Sequence, residues 1–178
     1  MKKTFIYFVI IFTAVVLQTS VVPVIFDRIW LPDVVLSVVL AWSIVDGFEK
    51  FFYWSVFAGF LYDAMSFSPI GISVIIFATV TYSISFFSKR FSTDMKGIGF
   101  IFAIFFVFSA TLGARMINSF AWIASEFSKG GFSRTYFMAG SLAGAFFWNM
   151  IFFIMFFYLI NKIEDLFLLR TKTNIIVK

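Results

Sequence analysis

Asp63 is the residue whose type and position most suggest chemistry. It ends the segment Gly59-Phe60-Leu61-Tyr62-Asp63, which lies between two long apolar runs. A carboxylate at membrane depth is costly and is by default a candidate for a functional site. An acid at the C-terminal end of a helix also opposes the helix dipole, which favours a specific partner for Asp63.

Arg115 is the natural candidate for that partner, since both residues are predicted in the outer third of the membrane. A desolvated Arg–carboxylate pair can be bidentate, and losing one partner costs about 3–5 kcal/mol. Two alternatives stay open. Asp63 could simply reach water at the bend before Pro69, and Arg115 could extend to the lipid headgroups.

The composition excludes most catalytic centres. The chain has no Cys and no His, which removes thiol nucleophiles, Cys/His zinc sites and Ser/His/Asp triads. Asp33, Asp63 and Glu126 have no spacing that identifies an acid/base pair, and no glycine-rich phosphate loop occurs. No basic groove for nucleic acid is visible. We therefore expect no catalytic residue, metal site, cofactor or nucleic-acid partner.

The chain is predicted to be an all-α, polytopic membrane protein. Its 178 residues are 62% hydrophobic and only 13% charged, with a mean hydropathy of +1.01. The apolar runs approach the roughly 20 residues that a helix needs to cross a bilayer. Runs such as Ile98 to Phe108 do not alternate as barrel strands would. Helices are therefore the expected spanning elements.

Six transmembrane helices position the candidate residues. Pro32-Asp33 is predicted to begin the second, because Pro suits a first helical turn and Asp can cap free N–H groups. Residues 1–170 are expected to form a single integral membrane domain, and residues 171–178 a cytoplasmic tail. The predicted helices are about Thr4 to Phe26, Ile29 or Val34 to Val45, Phe51 to Met65, Pro69 to Phe87, Gly97 to Trp122, and Tyr136 to Ile160.

The distribution of basic residues predicts that both termini are cytoplasmic. Cytoplasmic loops carry an excess of Lys and Arg, and most of the 14 such residues fall on the side of the termini. Asp33, Asp63 and Arg115 then lie towards the outside. The basic residues on the side of the termini are Lys2, Lys3, Lys50, Lys89, Arg90, Lys96, Lys162, Arg170, Lys172 and Lys178, against Arg28, Lys129 and Arg134 on the other side.

Two helix faces are the first candidates for binding a partner. The third helix carries small and polar residues at helical spacing, among them Ser55, Gly59 and Asp63. The sixth helix carries Gly140-x-x-x-Gly144, a pattern that lets helix backbones approach closely. Such a pattern serves packing within a bundle as readily as docking of a partner helix.

These motifs resemble those of the rod shape-determining protein MreD family. Pro32-Asp33 begins an early helix, and Gly59-Phe60-Leu61-Tyr62-Asp63 is followed by Ser66. Pro69-Ile70-Gly71 then forms the turn into the next helix. The motifs cover about Leu31 to Tyr82, and the rest of the chain agrees in length, topology and a charged C-terminal extension.

The resemblance implies a non-enzymatic role in the cell-elongation machinery that builds lateral peptidoglycan and maintains bacterial cell shape. It implies a multi-pass protein of the cytoplasmic membrane, in contact with lipids, that associates with MreC. Through MreC it would connect to MreB, the RodA glycosyltransferase and a penicillin-binding transpeptidase. It also implies a fold similar to the substrate-binding subunits of energy-coupling-factor vitamin transporters.

That similarity of fold supplies an alternative function, the substrate-binding subunit of such a vitamin transporter. Those subunits tend to carry an Ala-x-x-x-Ala surface on their first helix. Here the first helix has only Ala14. Polar groups on the outer side are also sparse for a vitamin pocket. Both observations favour the scaffold.

Overall fold

The computed structural model describes residues 2–26, 30–66, 70–88, 103–116 and 139–176. Its regular elements in these ranges are all helices, which confirms the all-α prediction for this part of the chain. The elements are α1 (Lys2–Val16), a π-helical turn (Leu17–Val21), α2 (Val22–Ile25), α3 (Val34–Asp46), α4 (Phe48–Met65), α5 (Ile72–Ser88), α6 (Ala103–Met116) and α7 (Ala139–Ile176).

Two of the described helical segments are long and apolar enough to cross a membrane. They are Lys3–Ile25, which has 23 residues, and Leu142–Leu166, which has 25. Shorter apolar helices occupy Val34–Asp46, Ile72–Ile84 and Ala103–Met116. Length and composition thus support a membrane protein.

The observed boundaries decide one predicted helix start and change one predicted helix end. Of the two starts predicted for the second helix, Ile29 and Val34, the observed start is Val34. The last helix continues through Ile176, beyond its predicted end at Ile160. The observed part of the predicted fifth helix is α6, and residues 117–122 at its predicted end lie outside the described residues.

Helix α3 is the core of the bundle. Every residue from Val34 to Ser43 is buried, and α1, α4, α5 and α7 pack around it. The Ser43 and Thr81 hydroxyls lie 3.1 Å apart and join α3 to α5. With 13 residues, α3 is about 20 Å long. Because other helices surround it, α3 does not have to match the thickness of the bilayer.

A charged cluster closes one end of the bundle, called here the Lys3 end. Lys3 Nζ lies 2.8 Å from Asp46 Oδ1 and 2.5 Å from Glu164 Oε1, and the Tyr7 hydroxyl also donates to Asp46. The start of α1, the end of α3 and residue 164 of α7 therefore meet at this end. It follows that α1 runs antiparallel to α3, while α7 runs parallel to α3.

Helices α4 and α5 touch closely at Gly59. A Cβ atom at Gly59 would lie 2.6 Å from Val74 Cα and 2.7 Å from Val74 N. Real Cβ atoms do not approach backbone atoms so closely, so only glycine fits here without a shift of α5. The predicted small face of this helix is therefore turned towards a neighbouring helix, as Ser55 and Asp63, both buried on it, also show.

Replacing Gly59 by alanine tests this contact, and Gly113 of α6 provides a matched control. Gly59→Ala should lower the thermal unfolding midpoint in detergent, because overpacking costs about 1–3 kcal/mol. A Cβ at Gly113 meets nothing within 4 Å. Gly113→Ala should therefore raise the free energy of unfolding by about 0.5–1 kcal/mol, and the thermal midpoint should rise with it. Equal shifts of the two variants would contradict the close contact.

Candidate functional site

Asp63 caps the helix that follows it. Its side chain is buried, with 1% exposed. Oδ2 accepts a hydrogen bond from the Gly71 backbone N–H at 2.7 Å, and the Ser73 N–H lies 3.2 Å from both carboxylate oxygens. Free N–H groups and the positive end of the dipole meet at the N-terminus of α5. They stabilise the carboxylate that the end of α4 disfavours.

The turn that presents these N–H groups depends on Gly71. Its φ of +105° lies in a region that residues with a Cβ rarely adopt. Gly59, Asp63 and Gly71 therefore act together: the first allows α5 to approach, the second binds its first turn, and the third shapes the turn. Pro69, which the sequence assigns to the same turn, lies outside the described residues.

The predicted ion pair between Asp63 and Arg115 is not observed. The hydrogen-bond partners of Asp63 are instead the backbone N–H groups at the start of α5. The alternative that Asp63 reaches water is also not observed, since the side chain is buried. The prediction located the costly charge correctly but missed that a helix N-terminus can compensate it.

Asp33 caps α3 as predicted. Its Oδ1 accepts from the Leu36 backbone N–H at 2.9 Å, and α3 begins at the next residue, Val34. Asp33 marks the end of the bundle opposite the Lys3 end, called here the Asp33 end. The Ser43–Thr81 contact joins positions nine residues after the starts of α3 and α5, so the two helices run in the same direction and both capped starts lie at this end.

Gln18 of the π-helical turn binds the backbone at the start of α3. Its Nε2 donates to the Pro32 carbonyl at 2.9 Å, and its Oε1 accepts from the Val34 N–H at 2.7 Å. The side chain is buried. A π-helical turn changes the direction of the side chains it contains. The π-helical turn at Leu17–Val21 is therefore found where the Gln18 side chain contacts the start of α3.

Asn149 extends this network to α6 and α7. Its Oδ1 accepts from the Asp33 backbone N–H at 2.6 Å, and its Nδ2 donates to Thr111 Oγ1 at 2.9 Å. Thr111 in turn donates to the Val107 carbonyl at 2.7 Å. The side chains of Gln18, Thr111 and Asn149 are all buried. One set of hydrogen bonds thus links the π-helical turn, α3, α6 and α7.

The sequence did not identify Gln18, Thr111 and Asn149 as functional residues. A usable signal was present, because amides within long apolar helices are costly unless they bind another helix. Gln18 and Asn149 both meet this description. Both amides bind the backbone at the start of α3. The sequence does not reveal this shared contact, because Gln18 is 16 residues from Val34 and Asn149 is 116 residues from Asp33.

Gly144 packs against Trp30 within the chain. A Cβ at Gly144 would lie 3.0 Å from Trp30 Cγ and 3.2 Å from Cδ1. The second half of the Gly140-x-x-x-Gly144 motif therefore serves internal packing, one of the two uses predicted for it. Gly140 lies in the first turn of α7.

The geometry suits the positioning of helices better than a reaction. Asp33 and Asp63 each bind the backbone at the start of a helix. Among the described residues, no group of three or more His, Cys, Asp or Glu is placed to hold a metal ion. The polar side chains of the Asp33 end therefore satisfy helix ends that water cannot reach.

A family model described as rod shape-determining protein MreD matches residues 1–163. The matched range contains both capped helix starts, the π-helical turn and Asn149. No curated protein and no solved structure matches the chain.

Removing the Asp63 carboxylate tests its role as a cap. Asp63→Ala should destabilise the protein, because each buried N–H left without an acceptor costs about 1–3 kcal/mol. Asp63→Asn should cost less, since the amide oxygen can still accept one of the bonds. The control is Asp165→Ala, because Asp165 is an exposed acid of α7. Its free energy of unfolding should lie within about 0.5 kcal/mol of that of the parent protein. A thermal midpoint unchanged in Asp63→Ala would refute the cap.

Two asparagines of α7 provide a matched test of the network. Asn149→Leu should destabilise the protein by about 1–3 kcal/mol, because the Asp33 N–H loses its acceptor. The Asn161 amide donates to the Phe157 carbonyl of its own helix at 2.9 Å. Asn161→Leu should therefore change stability by no more than about 0.5 kcal/mol. Unfolding in detergent, followed by tryptophan fluorescence, measures both, and equal losses would count against the network.

Proposed function

Because the chain belongs to the rod shape-determining protein MreD family, we propose that it is a non-enzymatic membrane scaffold of the cell-elongation machinery. The match over residues 1–163 is the observation that carries this proposal. The family is a component of shape determination and is not a known enzyme family. The use of Asp33 and Asp63 as helix caps agrees with a scaffold, since both acids act on the backbone of the protein itself.

The proposed scaffold acts by binding an MreC-like membrane protein and helping to place peptidoglycan synthases. Through that partner it would be connected to MreB, RodA and a penicillin-binding transpeptidase. A scaffold must hold its binding surfaces in a fixed arrangement. The hydrogen bonds from Gln18 and Asn149 to the start of α3, and from α5 to Asp63, supply such rigidity. Membrane lipids would cover the remaining apolar surface.

The proposed topology has six membrane spans in the bacterial cytoplasmic membrane, with both termini in the cytoplasm. Lys3 and Glu164 meet in one ion pair, which supports placing the two ends of the chain on the same side. The excess of Lys and Arg on that side supports the cytoplasm. Residues 1–170 would form the membrane domain, with a fold like that of energy-coupling-factor substrate-binding subunits, and residues 171–178 would be cytoplasmic.

Co-purification of the full-length protein with an MreC-like partner from the same membrane tests the proposal. We expect the two proteins to elute together in a mild detergent, since a scaffold must hold its partner after extraction. A non-interacting single-span membrane protein expressed to the same level is the control. A tightly bound vitamin identified by mass spectrometry, with no retained partner, would overturn the proposal in favour of the transporter alternative.

A further inference from the structure

The exposed tyrosines of the described ranges lie at one end of the bundle. They are Tyr53, Tyr82 and Tyr158, with 79%, 61% and 73% of their surface exposed. Tyr53 lies six residues after Gly47, which joins α3 to α4, and Tyr158 lies six residues before Glu164. Six helical residues extend about 9 Å. Tyr53 and Tyr158 therefore lie at the same depth below the Lys3 end.

Tyr82 also lies near the Lys3 end, because its neighbour Thr81 contacts Ser43 in the last turn of α3. Farther from this end, the large exposed side chains of α4 and α7 are purely apolar, as Phe60 and Phe147 are. Tyrosine combines an apolar ring with a hydroxyl group, and it concentrates where the hydrocarbon layer meets the lipid headgroups. The three tyrosines thus mark this boundary at the Lys3 end.

Two of these tyrosines share a helix face with a lysine. Lys50 precedes Tyr53 by three residues, and Lys162 follows Tyr158 by four, so each pair lies on one side of its helix. Both lysines are exposed. Helix α4 begins at the Lys3 end and α7 runs towards it. In both pairs, called here the Tyr–Lys pairs, the lysine is therefore nearer the end, although the order along the chain is reversed.

The lysines of the Tyr–Lys pairs are not neutralised within the part of the chain that the structure describes. Lys3 is bound by Asp46 and Glu164, whereas Lys50 and Lys162 form no ion pair among the described residues. Their ammonium groups can extend along the helix surface towards the headgroups, as long basic side chains do at membrane boundaries. Both charges are therefore available to a group outside the protein.

The balance of charge at this end favours an anionic group. The side predicted to hold the termini carries ten Lys and Arg but only five Asp and Glu, namely Asp46, Glu49, Asp94, Glu164 and Asp165. Basic residues next to a membrane attract anionic lipids, and the attraction falls off within a Debye length. Zwitterionic lipids carry a compensating positive charge and gain less from this excess.

We propose that the two Tyr–Lys pairs bind the headgroups of anionic phospholipids at the Lys3 end. The ammonium groups of Lys50 and Lys162 pair with lipid phosphates, and the phenol hydroxyls of Tyr53 and Tyr158 donate to the ester oxygens. In a phospholipid the phosphate lies outside the esters, which is the order of lysine and tyrosine in both pairs. This inference goes beyond the proposed function, since it requires no protein partner.

The equal depth of the two pairs favours a lipid layer over an acidic protein as the bound group. Helices α4 and α7 each pack on α3, and their tyrosines lie about 9 Å from the same end of the bundle. A layer of headgroups meets every lipid-facing helix at one depth. The same chemical pattern on two separate helices is therefore what such a layer requires.

Titration of the purified protein in detergent with phosphatidylglycerol or phosphatidylcholine of the same acyl chains tests the proposal. Lipid that binds the folded protein raises its thermal unfolding midpoint. Phosphatidylglycerol should act at the lower concentration. In the double variant Lys50→Gln/Lys162→Gln, the half-saturating concentration of phosphatidylglycerol should rise about tenfold, because two basic contacts are lost. That of phosphatidylcholine should change by less than about twofold.

Three control variants separate charge from structure. Lys50→Arg/Lys162→Arg keeps both charges and should keep the preference for phosphatidylglycerol. Asp165→Asn removes an exposed charge of the opposite sign from the same end and should not weaken binding of phosphatidylglycerol. Tyr53→Phe/Tyr158→Phe should raise the half-saturating concentrations of both lipids by about threefold and leave their ratio unchanged, since both lipids have ester oxygens.

Equal half-saturating concentrations of the two lipids for the parent protein would overturn the inference. So would a Lys50→Gln/Lys162→Gln variant that keeps the parent preference. The substituted side chains are exposed, so the midpoints without lipid should match that of the parent protein. Retention of the MreC-like partner is measured separately, so failure of the lipid test leaves the proposed function standing.

Discussion

The structure depends on the need to satisfy helix ends that are buried inside the bundle, as the first residues of α3, Val34 to Leu36, are. The core helix α3 is about 20 Å long, shorter than the roughly 30 Å hydrocarbon layer. Its first N–H groups cannot all be exposed to water, and each would be costly if left unpaired. Asp33, Gln18 and Asn149 bind the backbone at this start. Capping is thus what permits a short helix to form the centre of the bundle.

The same constraint explains why Gly59 and Asp63 occur one helical turn apart. A carboxylate can bind the start of α5 only if the two backbones come close, and Gly59 permits that approach. The N-terminus of α5 supplies partial positive charge, which replaces the counter-ion that a buried acid otherwise needs. The Asp63 carboxylate is therefore unfavourable at the C-terminal end of α4 but favourable at the N-terminal end of α5.

Local signals in the sequence predicted the parts of the site that are close along the chain. Pro32-Asp33 indicated a capped helix start, and the small residues around Gly59 indicated an inward face. The partners of Asp63 have no sequence signature, because charge and depth indicate Arg115, whereas the partners in the structure are backbone N–H groups. Asn149 was missed because its contact with Asp33 joins positions 116 residues apart. The start of α3 was left between Ile29 and Val34 because apolar composition alone cannot fix a helix boundary.

The polar side chains at the starts of α3 and α5 are bonded within the chain, so they have little capacity left for another molecule. Gln18 and Asn149 bind the backbone around Val34, and Asp63 binds the first turn of α5. Each of these bonds joins two different elements, so together they fix the relative positions of the helices. A buried polar group is favourable when its bonds are made within the fold, and these side chains meet that condition by binding helix starts.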